Sequence, residues 1–201
     1  MKVLILGAGA VGGYYGGRLI EAGRDVTFLV RPARAKLLRE NGLKIKGESG
    51  NFESKNFKVI ESVDSHYDLI VLTCKAWDLD GAMNSVAPAI GPESTVLPLL
   101  NGMSHLTKLK DKFGEKTVIG GLCIISSTLD KDGTILHLND KHGIKYGELN
   151  AKESQRIDAI DELFKPANCH SSKSNEIIAD MWEKWVMISS LAALTTLFGA
   201  T

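Results

Sequence analysis

"LILGAGAVGG" (Leu4–Gly13) opens the chain, and its reading decides the fold. Gly7, Gly9 and Gly12 set a G-x-G-x-x-G spacing between the apolar run "VLIL" and the amphipathic segment "YYGGRLIEAG". A short, wholly apolar run reads as a strand buried on both faces, and Gly23 reads as the end of a helix over about residues 10–22. In that strand–loop–helix context each glycine has its own task. Gly7 permits the tight turn, Gly9 lets backbone approach a pyrophosphate, and Gly12 lets helix and strand pack closely. The helix N-terminus adds unpaired N–H groups and the positive end of a dipole. The loop Gly7, Ala8, Gly9, Ala10, Val11, Gly12 is therefore read as a cradle for dinucleotide phosphates. A secretion signal shares some of these ingredients, but the apolar run stops at Leu6 and a helical pattern follows instead of a cleavage region.

Outward from this motif the pattern alternates. "DVTFLV" reads as a second strand and "PARAKLLREN" as a second helix, with Pro32 in its first turn. "GLKIKG" and "NFESKNFKVI" read as two antiparallel strands around a turn at Gly47–Asn51. "DLIVLTCK" is a further buried strand, followed by a helix from about Leu79 to Ala87. "STVLPLLNG" is another strand, with Pro98 marking its end or an irregularity. A helix follows through "SHLTKLKDKFG", and "TVIGGLCII" is expected to continue the same sheet. "TILHL" with "GIKYGEL" reads as a hairpin-like excursion, before a helix at about 152–165 and a short strand near Cys169. Strands separated by helices imply βαβ units, so the fold class is α/β: Rossmann-type, doubly wound, with a largely parallel sheet covered on both faces. The final segment differs. "SNEIIADMWEKWVMISSLAALTTLF" reads as a long helix capped by Ser174 or Asn175, and its second half is apolar on almost every face. Residues 1–173 are expected to form the dinucleotide-binding domain. Residues 174–201 would be the first helix of an all-helical second domain, or a helix covered by pairing two copies in a homodimer.

In an open parallel sheet, ligands bind beyond the carboxyl ends of the strands. Four features fall there: the glycine loop, Arg31, Lys75 and Asn101. Where the second strand ends, an NAD-binding chain places Asp or Glu for the ribose hydroxyls. Here the region reads Phe28, Leu29, Val30, Arg31, and Asp25 lies at the wrong end of the strand. Arg31, with Arg34 and Lys36 nearby, suits a 2′-phosphate instead, so NADP(H) is the expected cofactor. The lesser alternative is that these cations are simply a solvated helix start; a lysine after a strand is usually just exposed, and Asn-Gly is a common turn pair. Lys184, in "MWEKWV", is the last charge before the apolar run. Most helical lysines are solvated or snorkelling; a lysine at this boundary can instead be partly desolvated, with a lowered pKa that suits a proton donor.

The totals narrow the field. Lys+Arg and Asp+Glu both number 24, so zero net charge points to neither nucleic acid nor an anionic membrane. From Trp185 to Thr201 no charge occurs, but the stretch is short for a membrane span and rich in Ser and Thr, which favours a buried helix. Cys74, Cys123 and Cys169 have no C-x-x-C spacing, which fits a reducing, cytoplasmic setting and no metal site.

Taken in order, "GAGAVG", Arg31, "CKAWD", "LLNGM", "DGTILH…YGEL" and "WEKW" resemble the ketopantoate reductase (2-dehydropantoate 2-reductase) family over essentially the whole chain. The resemblance implies an NADPH-binding Rossmann domain, an all-helical second domain and a site in the cleft between them. The implied reaction is hydride transfer from NADPH to the keto carbon of a 2-oxo acid, serving pantothenate and coenzyme A biosynthesis if that acid is ketopantoate. It makes Lys184 the general acid, lets Asn101 bind substrate and place the nicotinamide, and puts Lys75 at the cofactor edge. Two departures stand out. The family's best-known members carry asparagines one and two turns after this lysine, where Ile188 and Ala192 stand here. Their polar substrate ligands from the second domain, a glutamate among them, have no counterpart before Thr201. A different 2-oxo acid, another lysine-using Rossmann dehydrogenase, and a module that binds NADPH without turnover are the competing readings.

Overall fold

The computed structural model describes residues 1–199. The chain begins β1 (Val3–Leu6), α1 (Ala10–Glu21), β2 (Val26–Leu29) and α2 (Pro32–Asn41), followed by three short strands, β3 (Leu43–Gly47), β4 (Phe52–Ser54) and β5 (Lys58–Ile60). β6 (Leu69–Leu72) leads through a 3-10 turn, Ala76–Asp78, into α3 (Leu79–Val86). β7 (Thr95–Pro98) and α4 (Ser104–Phe113) come next. The second half holds β8 (Gly120–Leu129), β9 (Ile135–Gly147), α5 (Gln155–Phe164), β10 (His170–Lys173) and α6 (Ile177–Phe198).

The first sheet has the order β5-β2-β1-β6-β7, and every pairing in it is parallel. Its strands are apolar throughout because both faces are covered. Successive side chains point to opposite faces, so Val3, Ile5, Phe28, Val71 and Leu97 pack with Tyr15 and Leu19 of α1 on one side. Leu4, Leu29, Ile70, Leu72 and Val96 pack with Met83 of α3 and Leu109 of α4 on the other. Each such side chain contributes roughly 1.5–3 kcal/mol by leaving water. This is the doubly wound arrangement that the alternating pattern implies, followed by the helical segment α6.

A second sheet, with β10, β9, β3 and β4 in that order and β8 on the far edge of β9, departs from the expected single sheet. "NFESKNFKVI" divides: Phe52–Ser54 pairs antiparallel with β3, whereas Lys58–Ile60 crosses to β2 in the first sheet. "TVIGGLCII" touches the first sheet only through a bridge from Val118 to Val96, and from Gly120 onward it runs along β9. "TILHL" and "GIKYGEL" are not two arms of a hairpin but one continuous strand, β9. The true hairpin partner is β8, which follows it from Gly120↔Gly147 to Leu129↔Ile135. The opposite edge of β9 is shared, β3 taking Ile135–His137 and β10 taking Gly143–Tyr146.

α6 starts at Ile177 rather than directly after Ser174 or Asn175, and no side chain caps it. Ser174 instead accepts from the Glu176 amide and donates to Asp180. Lys145 of β9 also donates to Asp180, at 2.6 Å, and this ties the first turn of α6 to the second sheet. Ile177 and Met181 are buried there, but Val186, Met187, Leu191, Leu194, Leu197 and Phe198 are exposed. No helix among the described residues is long and apolar enough to cross a membrane.

Candidate functional site

β1, β2, β6 and β7 run parallel, so the segments that follow them all emerge at one edge of the sheet. The glycine loop leaves β1 with Gly7 at φ +94°, a conformation that a side chain would strain, and the Gly7 amide is held by Leu29 O at 2.9 Å. Gly9 is the N-cap of α1, with no side-chain cap and no acidic residue in the first turn. The amide groups of that turn therefore have neither an intrahelical acceptor nor a local carboxylate. The two remaining glycines do different things. A Cβ on Gly12 would drive into Gly7 O and Thr73 Oγ1, and Thr73 is itself fixed by donating to Leu6 O at 2.8 Å. A Cβ on Gly9 would meet nothing within 4 Å, so the space over the loop is open. Bare amides, a positive helix end and an open face fit a dinucleotide pyrophosphate.

Arg31 is the N-cap residue of α2, and its side chain is 80% exposed. Its Nη2 donates to Asp78 Oδ1 at 2.9 Å, across the end of β1. β2 itself ends without a carboxylate, as its sequence shows, but the turn after β6 brings one there. Arg34 does not join Arg31 at the surface. Its Nε donates to Ala8 O at 2.9 Å and both terminal nitrogens donate to Gly133 O, so the guanidinium braces the glycine loop against the β8–β9 hairpin. Burial lowers its pKa. Lys36 points along α2 toward Glu40. Lys75, the residue before the 3-10 turn, is exposed, as is Trp77 within that turn.

The third element joins the sheet to α6. Lys184 Nζ donates to Asn101 Oδ1 at 2.8 Å, so two residues far apart in the chain meet beside the end of β7. They line a small recess with Gly102, Leu122, Trp185 and Ile188. Lys184 is half-buried, and this desolvation holds its ammonium below the ordinary lysine pKa. His105, in the first turn of α4, escaped sequence reasoning. It is 3% exposed, and burial with the nearby charge of Lys184 pushes its pKa down to about 4. Its Nε2 is buried without a hydrogen-bond partner. The only signal was its place four residues after Asn101, and a lone histidine at such a spacing does not announce a role. No His/Cys/Asp/Glu cluster among the described residues could hold a metal ion.

A family model described as ketopantoate reductase PanE/ApbA matches residues 3–151. The uncharacterized oxidoreductase YkpB of Bacillus subtilis is 40% identical over 198 residues, which cover 98% of this chain and 65% of that protein. The chain thus spans slightly less than two thirds of that relative. The structure of 2-dehydropantoate 2-reductase from Geobacter metallireducens matches with a TM-score of 0.85 at 27% identity, over 92% of this chain and 61% of that one. A ternary structure of D-mandelate dehydrogenase with NADH and anilino(oxo)acetate shares the fold, with a TM-score of 0.82 at 22% identity over 92% of this chain and 60% of that one. With the glycine loop, the parallel sheet and the lysine–asparagine pair all in place, the chain belongs to the ketopantoate reductase (PanE/ApbA) family.

Proposed function

We propose that this chain carries the cofactor and proton-transfer half of an NADPH-dependent 2-oxo-acid reductase. The observation that supports this most is the 2.8 Å contact between Lys184 and Asn101 at the sheet edge that also bears the glycine loop. Residues 1–173 would bind the nucleotide and residues from 174 onward would open the substrate domain. The loop Gly7–Gly12 would hold the pyrophosphate, Arg31 the 2′-phosphate, and Lys75 and Asn101 would border the rest of the cofactor.

Bound there, the reduced nicotinamide supplies a hydride to the keto carbon of the acid. The residues supply the rest. Hydride arrival leaves negative charge on the carbonyl oxygen, and the Lys184 ammonium would stabilise that charge and then donate its proton. Burial makes this easier by weakening the hold of Nζ on its proton. Asn101 accepts from Lys184 through Oδ1 and so aims the ammonium; its amide NH2 remains for substrate or nicotinamide. Ile188 puts an apolar side chain on the recess, which would favour a 2-oxo acid with an apolar substituent.

The test is NADPH oxidation with a panel of 2-oxo acids, 2-dehydropantoate included, comparing wild type with Lys184→Ala. Loss of a general acid predicts a fall in kcat of about 10²–10⁴-fold. Turnover that survives Lys184→Ala would remove the proposed acid. In a version that carries a complete substrate domain, NADPH binding without oxidation by any acid in the panel would favour a nucleotide-binding module over an enzyme.

A further inference from the structure

Arg31 and Asp78 belong to different loops. Arg31 follows β2 and Asp78 closes the 3-10 turn after β6, with β1 lying between those two strands. Their ion pair therefore spans the end of the one strand whose loop forms the phosphate cradle. Only one Arg31 nitrogen, Nη2, is engaged, and Asp78 is itself 37% exposed, so both partners face the solvent from which a nucleotide would arrive. The neighbouring cations do not blur the picture: Arg34 is turned inward onto Ala8 O and Gly133 O, and Lys36 points toward Glu40.

We propose that Asp78 is a specificity-determining residue: the counter-ion that Arg31 must share with a 2′-phosphate, setting how strongly the site prefers NADPH over NADH. This rests on the cofactor reading above. The chemistry has two sides. A carboxylate accepts hydrogen bonds from unphosphorylated ribose hydroxyls. The same carboxylate repels a 2′-phosphate that binds the guanidinium it already holds. Asp78 also orients Arg31, which favours the phosphate, but an exposed single contact restrains a side chain only weakly. Repulsion by a full charge on the same guanidinium is the larger effect. Arg31 and Asp78 together form a selector in which each half favours a different cofactor.

The experiment is calorimetric titration of the chain with NADPH and with NADH, for wild type, Asp78→Asn and Arg31→Ala. Asp78→Asn keeps the shape and removes the charge. It should tighten NADPH about two- to fivefold, the size expected of one exposed charge pair, and should leave NADH unchanged or weaker. Added salt should shrink the gain, since it is a screened charge effect. Arg31→Ala should weaken NADPH and spare NADH. If Arg31→Ala acts that way but Asp78→Asn leaves NADPH unchanged or weaker, or shifts both cofactors equally, the Asp78 proposal alone falls. If Arg31→Ala shifts both cofactors equally, the phosphate reading fails and takes the Asp78 proposal with it.

Discussion

A histidine or a lysine stands out when its surroundings penalise its charge: burial does so at both His105 and Lys184, and at His105 the charge of Lys184 adds to it. His105 is buried with its pKa pushed to about 4, and the charge of Lys184 adds to that push. A histidine unfolds to a pKa near 6.5. Between those values the unfolded chain binds a proton that the folded chain refuses. The stability His105 confers is therefore complete above about pH 6.5 and declines as pH falls toward 4, by about 3 kcal/mol in all. His105→Gln should flatten this decline when urea midpoints are measured at several pH values, and an unchanged slope would show that His105 is not its source. Lys184 makes the complementary prediction for catalysis. Because its pKa lies below the ordinary lysine value, kcat should fall on the alkaline side at a pH lower than a free lysine would set, as the ammonium loses its proton. A rate that stays flat through that range would mean that proton donation by Lys184 does not limit turnover.

At the scale of one element, the β1–loop–α1 unit separates packing from binding more cleanly than its motif does. Gly12 sits where a Cβ would collide with backbone at Gly7 and with the tethered hydroxyl of Thr73. Gly12→Ala should therefore push α1 off the sheet and cost about 1–3 kcal/mol, as overpacking does. Gly9 has an ordinary extended backbone and empty space in front of it. Gly9→Ala should leave stability within about 0.5 kcal/mol, while placing a methyl group in the phosphate path and weakening NADPH by an order of magnitude or more. Thermal melts and cofactor titrations on the two variants would decide this. Equal destabilisation by both would mean that the loop is merely a tight turn.

Across the whole molecule, α6 is the element whose chemistry exceeds its surroundings. Lys145, Ser174 and Asp180 fix its first turns and Met181 is buried, yet Leu191 is 60% and Phe198 73% exposed. A contiguous apolar face of this kind marks a surface that binds something. The chain on its own should self-associate with rising concentration in sedimentation velocity. Leu191→Lys combined with Leu194→Lys should shift it toward monomer without altering the Lys184–Asn101 contact nearer the start of the helix. If the double variant sediments like wild type, the apolar face of α6 does not drive association.

The local pattern of the chain was enough to define the doubly wound parallel sheet, the cradle after β1 and the helical nature of α6. Apolar runs of strand length, glycines at a fixed spacing and helical periodicity are written in consecutive residues, and burial on both faces leaves such strands little choice. It marked Lys184 and Asn101 as polar residues at the ends of apolar stretches, but their roles came from the resemblance to the reductase family, and only the fold brings the two within 2.8 Å. Long-range pairing was not legible. β9 looks like two strands because its polar middle resembles a turn, and the ladder is indeed interrupted there: β8 pairs with it on both sides, up to His137 and from His142 on, with a register shift between Ile125 and Ser127. The carboxylate missing from the end of β2 arrives as Asp78 from another loop, Arg34 turns inward to carbonyls, and His105 is buried within reach of the charge of Lys184, on a helix far along the chain. Those facts depend on which segments meet in space, and no local pattern encodes a meeting between residues that are distant in sequence.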